Sequence, residues 1–111
     1  MRSTKQTQAP HSKQTLSKEE LGELLRELPE WAVEDGKLVR FWTFADFLAS
    51  MAFVNRVARL AEKAGHHPDI DIRYNRVKLA LVSHDAGGIT ARDASMARQL
   101  SAKPVAPTPA A

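Results

Sequence analysis

The stretch that most restricts the fold is residues 46–65, DFLASMAFVNRVARLAEKAG. Asp46 is a residue type that caps helix amino termini, and Gly65 can end a helix in the left-handed conformation that side chains resist. Between them Phe47, Met51, Val54, Ala58 and Ala61 recur at helical spacing. Leu48, Ala52, Phe53, Val57 and Leu60 widen the apolar face well beyond one stripe. Such a helix must be covered. It either sinks against a sheet or divides its surface between a sheet and a subunit interface.

The flanking segments supply that sheet. Ser17-Lys18-Glu19-Glu20 has the spacing of a capping box, and Leu21, Leu24, Leu25 and Leu28 then mark one face of a short helix that Pro29 ends. From Trp31 to Phe44 two β-prone runs flank Asp35-Gly36, a pair that favours a tight hairpin turn. Trp31 and Trp42 alternate with apolar neighbours, so sheet packing is expected of both. After the long helix, Ile70, Ile72 and Tyr74 alternate with charged residues, and Val77, Leu79 and Leu81 follow in the same manner. Asn75-Arg76 is the expected connection. Thr90-Ala91-Arg92-Asp93 offers a last helix start, running to about Leu100. The expected fold is therefore α+β: one domain, a four-stranded antiparallel sheet with helices packed on one face, in the order α-β-β-α-β-β-α. Residues 1–16 are expected to be a disordered basic tail, 17–101 the folded domain, and 102–111 a disordered Pro/Ala tail.

Composition narrows the chemistry. The 111 residues contain no cysteine, which excludes a thiolate nucleophile, a disulfide framework and cysteine-held metals. The net charge of +3 comes from the amino-terminal end: residues 1–18 carry Arg2, Lys5, Lys13 and Lys18 without an acid, so the remainder sums to −1. No basic stripe with interleaved aromatics is left to follow a phosphate backbone, so no nucleic-acid partner is expected. No apolar run approaches the roughly 20 residues of a membrane span, and nothing resembles a signal peptide, so a cytoplasmic protein without a membrane partner is expected.

Three of the four histidines fall within EKAGHHPDIDIRYNRVKLALVSHDAGGITARD, residues 62–93. His66 and His67 lie just past the expected end of the long helix, where Gly65 and Pro68 allow the chain to turn. A hairpin centred on Asn75-Arg76 would set position 67 near position 84, returning His84 to the same end of the sheet. His11 shows no partner and is given no role. A metal site is disfavoured, because adjacent histidines seldom both reach one ion and no carboxylate stands at a familiar ligand spacing. Unrelated surface histidines are the plain alternative. Proton transfer is the reading we favour, since imidazole gives and accepts protons near neutral pH.

At Glu62-x-x-x-His66-His67-Pro68, with Tyr74, His84, Gly87-Gly88 and Asp93 following, residues 17–100 resemble the pterin-4a-carbinolamine dehydratase family. Gly65, Ile70 and Ser83 depart from residues frequent there, which bears on pocket shape more than on proton transfer. The resemblance implies a hydro-lyase that removes water from 4a-hydroxytetrahydropterin to give the quinonoid dihydropterin. It implies no metal and no organic cofactor, a homo-oligomer (dimer or tetramer), and service to an aromatic amino acid hydroxylase. By matching position, His66 and His84 would protonate the leaving hydroxyl, while His67 would hold the pterin and take the ring-nitrogen proton; these roles can be permuted. Glu62 either fixes a histidine tautomer or is a solvated surface residue. Asp93 either supports the site or only caps its helix, Tyr74 packs with its hydroxyl at the rim, and Pro68 shapes the loop. The rival function is a non-catalytic dimerisation or assembly module of the same fold, which would not need three histidines.

Overall fold

The computed structural model describes residues 14–102. In chain order they form α1 (Lys18–Glu27), β1 (Ala32–Glu34), β2 (Lys37–Thr43), α2 (Phe47–Ala64), β3 (Asp69–Arg73), β4 (Arg76–Leu81) and α3 (Ala91–Ala102). The sheet is antiparallel throughout, with strand order β1-β2-β4-β3. The α+β order expected from the sequence is the order observed.

Local chemistry accounts for most boundaries. Ser17 and Glu20 close a reciprocal capping box at α1, with bonds of 2.8 and 3.0 Å. Asp46 caps α2 by accepting from the Ala49 amide at 2.9 Å. The Asp35-Gly36 turn has both residues at positive φ, 54° and 74°, whose twist suits a two-residue hairpin. At the other end of α2, Gly65 adopts φ 66°. The His66 amide then donates back to the Ala61 carbonyl and the Gly65 amide to the Glu62 carbonyl, at 3.2 and 3.3 Å. This is the Schellman pattern, and it fixes the direction in which the chain leaves the helix.

The helices cover one face of the sheet. Leu38, Val77, Leu79 and Leu81 meet Leu24 and Leu28 of α1 and its end, Phe53, Val57 and Ala61 of α2, and Ala97 and Leu100 of α3. Full burial of each large aliphatic side chain contributes about 1.5–3 kcal/mol. Trp42 stands edge-on to Trp31 at 5.8 Å and tilted against Phe53 at 4.7 Å, joining the first hairpin to α2. The buried Trp31 donates its indole N–H to Ser101 at 2.9 Å, so both tryptophans serve packing. Leu48, Phe47 and Ala52 at the start of α2 remain exposed, so only part of that helix's apolar surplus is used within the chain.

Three expectations are corrected. Tyr74 is not a strand residue with a packed ring: it occupies the β3–β4 turn at φ 55° and is 63% exposed. The turn residues are Tyr74 and Asn75, with Arg73 opposite Arg76, so the register is shifted by two from the hairpin centred on Asn75-Arg76. Asn75 decides this, because its side chain donates to the Phe44 carbonyl at 3.0 Å and its carbonyl accepts from the Phe44 amide at 2.7 Å. Projected along the chain, the observed register sets His67 opposite Val82 rather than His84. The ordered body also starts before Ser17, since Thr15 bridges Thr90 and the Leu16 amide donates to the Ile89 carbonyl at 2.9 Å. The rest of the expected tails, 1–13 and 103–111, lies outside the described residues.

Candidate active site

The chain between α2 and β3 carries His66, His67 and Pro68 without regular structure. The Schellman turn aims the two imidazoles apart, and each finds a different carboxylate. His66 Nε2 lies 2.6 Å from Asp93 Oδ1, across 27 residues of sequence. His67 Nε2 lies 2.7 Å from Glu62 Oε2, within the last turn of α2. Their surroundings differ: the side chains of His66 and Asp93 are 12% and 0% exposed, those of His67 and Glu62 60% and 78%. Glu62 therefore holds a histidine and is also solvated.

Asp93 combines the two roles left open for it. Its Oδ2 accepts from the Thr90 amide at 2.9 Å, the half of a capping box that an acid in the first turn of α3 supplies. The same oxygen accepts from the Ser83 hydroxyl at 2.9 Å. Oδ1 is left for His66. A buried carboxylate is costly without partners, and three donors here meet that need. An ionised carboxylate only accepts, so His66 Nε2 must carry the proton between them, which leaves Nδ1 as the nitrogen that exchanges a proton with a substrate, donating from the imidazolium and accepting in the neutral ring. The same argument gives His67 an Nε2–H toward Glu62.

His84 stands at the start of a closed turn. Ser83 and Gly88 bridge each other, and the Ser83 carbonyl accepts from the amides of Ala86 and Gly87 at 3.0 Å each, with Gly87 at φ 75°. Among the described residues the exposed His84 imidazole makes no hydrogen bond or ion pair. The turn is anchored to α3, because Arg92 Nη2 donates to Asp85 at 2.7 Å. What joins His84 to His66 is thus not strand pairing but the bond from Ser83, its neighbour in sequence, to Asp93.

Sequence reasoning passed over Ser83 as a site residue. The signal was present: Val77, Leu79 and Leu81 point into the core, and position 83 continues that alternation, so a hydroxyl there requires a partner. Pro68 lies between His67 and the first residue of β3, keeping the connection short. Tyr74 sits in the β3–β4 turn, with no described contact to the histidines.

A four-stranded antiparallel sheet with three helices on one face, and histidine–carboxylate pairs beyond the end of its long helix, defines a small α+β protein with groups able to give and take protons. The chain belongs to the pterin 4 alpha carbinolamine dehydratase family, whose family model matches residues 14–103. A provisionally named pterin-4-alpha-carbinolamine dehydratase of Acidobacterium capsulatum is 55% identical over 87 residues, covering 78% of this chain and 95% of that protein. The crystal structure of a transcriptional coactivator/pterin dehydratase from Brucella melitensis superposes with a TM-score of 0.76 at 37% identity, over 84% of this chain and 99% of that one. A pterin dehydratase-like protein identified as a RuBisCO assembly factor in the alpha-carboxysome shares the fold, with a TM-score of 0.52 at 22% identity, over 65% of this chain and 83% of that one.

Proposed function

We propose that this chain is a hydro-lyase that dehydrates a 4a-hydroxytetrahydropterin by histidine acid/base chemistry. The observation that carries the proposal is the 2.6 Å contact between His66 Nε2 and the fully buried carboxylate of Asp93. A carboxylate in that position holds one tautomer and stabilises the imidazolium that proton transfer requires, as the acid of a catalytic triad does for its histidine.

The elimination is redox-neutral, so no electron acceptor enters its balance. The carbon–oxygen bond at C4a breaks as an imidazolium delivers a proton to the departing oxygen, forming water. The lone pair of the adjacent ring nitrogen becomes the new C=N bond, and that nitrogen's proton passes to a neutral imidazole. The proton count closes over one turnover. We assign donation to His66 and His84, one for each face of the flat ring so that a single proton is delivered per turnover, and we assign pterin contact and acceptance of the nitrogen proton to His67. Positioned acid/base groups supply about 10²–10⁴ in rate, which is adequate for a carbinolamine that already loses water unaided.

The exposed apolar residues Phe47 and Leu48 on α2 favour self-association, which sedimentation at micromolar concentration would detect. A hydroxylase acting on aromatic amino acids would supply the substrate. No described helix is long and apolar enough to cross a membrane. The deciding experiment is ultraviolet-monitored dehydration of freshly generated 4a-hydroxytetrahydropterin with catalytic amounts of protein. Acceleration with multiple turnovers supports the assignment, and a rate equal to buffer alone would remove it.

A further inference from the structure

We infer that Ser83 is a positioning residue of this site, acting through Asp93 to hold the His66 tautomer and to tie the His84 turn to the same carboxylate. The inference rests on the dehydratase assignment for its kinetic part and on hydrogen-bond geometry for the rest.

Ser83 is 1% exposed, and its hydroxyl has two polar neighbours, Asp93 Oδ2 at 2.9 Å and Thr90 Oγ1 at 2.8 Å. Each hydroxyl has one proton. Because the carboxylate can only accept, the Ser83 proton must point at Asp93, and Thr90 must then donate to Ser83. Thr90 Oγ1 in turn accepts from the Arg92 amide at 3.2 Å. The protons are therefore aligned in one sense, from the Arg92 amide through Thr90 and Ser83 to the Asp93 carboxylate. A chain of this kind polarises each successive bond toward its end, and little solvent screens it, since Ser83, Thr90 and Asp93 are all buried.

Removing the Ser83 hydroxyl has two local consequences. Thr90 loses the acceptor for its proton, and Oδ2 keeps only the Thr90 amide. The carboxylate is then held by fewer donors, and the pattern that reserves Oδ1 for His66 Nε2–H is relaxed. Ser83 also begins the turn that carries His84, with its amide bound to the Gly88 carbonyl at 2.9 Å. Ser83 thus joins the two histidines: its hydroxyl bears on the orientation of His66 through Asp93, and the same bond ties the turn that carries His84 to α3 beside the Arg92–Asp85 contact.

The test compares wild type, Ser83→Ala and Ser83→Thr, using steady-state dehydration kinetics and long-range ¹H–¹⁵N correlation spectra that report which His66 nitrogen carries the proton. In the wild type, the neutral His66 ring should carry its proton on Nε2. Ser83→Ala should give mixed tautomers and a kcat lowered by about tenfold with KM within about twofold, as for loss of one hydrogen bond felt in the transition state. Ser83→Thr, which keeps the hydroxyl, should restore the tautomer and recover kcat to within about threefold. If Ser83→Ala fails to fold, Ser83→Cys keeps the volume with a much weaker donor and should show the same loosening. An unchanged His66 tautomer in Ser83→Ala or Ser83→Cys would overturn the inference, whatever the rate. A wild type that does not dehydrate the carbinolamine would instead remove the proposed function, and the spectra would still decide the role of Ser83.

Discussion

His66 and His67 are neighbours in sequence and each holds a carboxylate, at 2.6 and 2.7 Å, yet one pair is interior and the other lies at the surface. Distance alone would rate them equal. The His66–Asp93 pair sits among buried groups, and the carboxylate's remaining lone pairs are taken by the Ser83 hydroxyl and the Thr90 amide. Its geometry is fixed from three sides, and removing any partner strands the others without water to replace it. The His67–Glu62 pair is bathed in solvent, so its attraction is screened and is offset by the ordering of two mobile side chains. Equal contacts therefore imply unequal consequences, and five substitutions test that inequality.

The largest effect is expected at Asp93. Asp93→Ala removes a helix cap and the acceptor for Ser83 and His66 together, and it should cost about 3 kcal/mol of stability by denaturant unfolding. Asp93→Asn keeps the shape but offers an amide where His66 needs an acceptor, so kcat should fall by at least about 10². Next come the histidines themselves. His66→Ala should lower kcat by about 10²–10³, whereas His67→Ala should raise KM and lower kcat less, because solvent at that exposed position can take the ring-nitrogen proton in its place. Equal kcat losses would erase the distinction between the pairs. Third is the exposed carboxylate: Glu62→Gln should change stability by under about 1 kcal/mol and the rate by less than about tenfold, and the difference from wild type should shrink in high salt. A loss at Glu62 matching that at Asp93 would show that catalysis depends on the surface pair no less than on the interior one.

The smallest effect belongs to an exposed pair away from the histidines. Glu27 accepts two bonds from Arg98, at 2.8 and 3.1 Å, and that hydrogen bonding holds its carboxyl below the ordinary carboxylate value. A folded-state value lowered in this way contributes stability above the unfolded value, and the contribution is lost as pH falls through the folded one. Glu27→Gln should therefore slightly flatten the acid limb of the stability profile without changing kcat. Thermal unfolding between neutral pH and the acid transition would show it.

The element order was legible because its causes are local. The capping box at Ser17, the Asp35-Gly36 turn, the Asp46 cap and Gly65 each act within a few residues of themselves, and the alternation in β3 and β4 marks which face turns inward. The β3–β4 register was not legible, because apolar residues repeating every second position look the same after a shift of two. The choice lies with Asn75 and its bonds to Phe44, 31 residues away. A similar division applies at the site. The three histidines could be picked out from the sequence, Glu62 and Asp93 through the family resemblance, and Thr90-x-x-Asp93 was recognisable as a cap.

By itself, then, the sequence determined what nearest-neighbour chemistry can determine: helix ends, turn positions, the inward face of each strand, and the placement of His66 and His67 just beyond a glycine-terminated helix. Only the tertiary structure decided that Asp93 gives one oxygen to its own helix and the other to His66, that Ser83 completes that carboxylate's partners, and that Glu62 serves His67 instead. The Asp93 pairings depend on where separate elements pack against each other, and the Glu62 pairing on which way the chain turns as it leaves α2. A bond spanning 27 residues leaves no periodic trace in the chain that makes it.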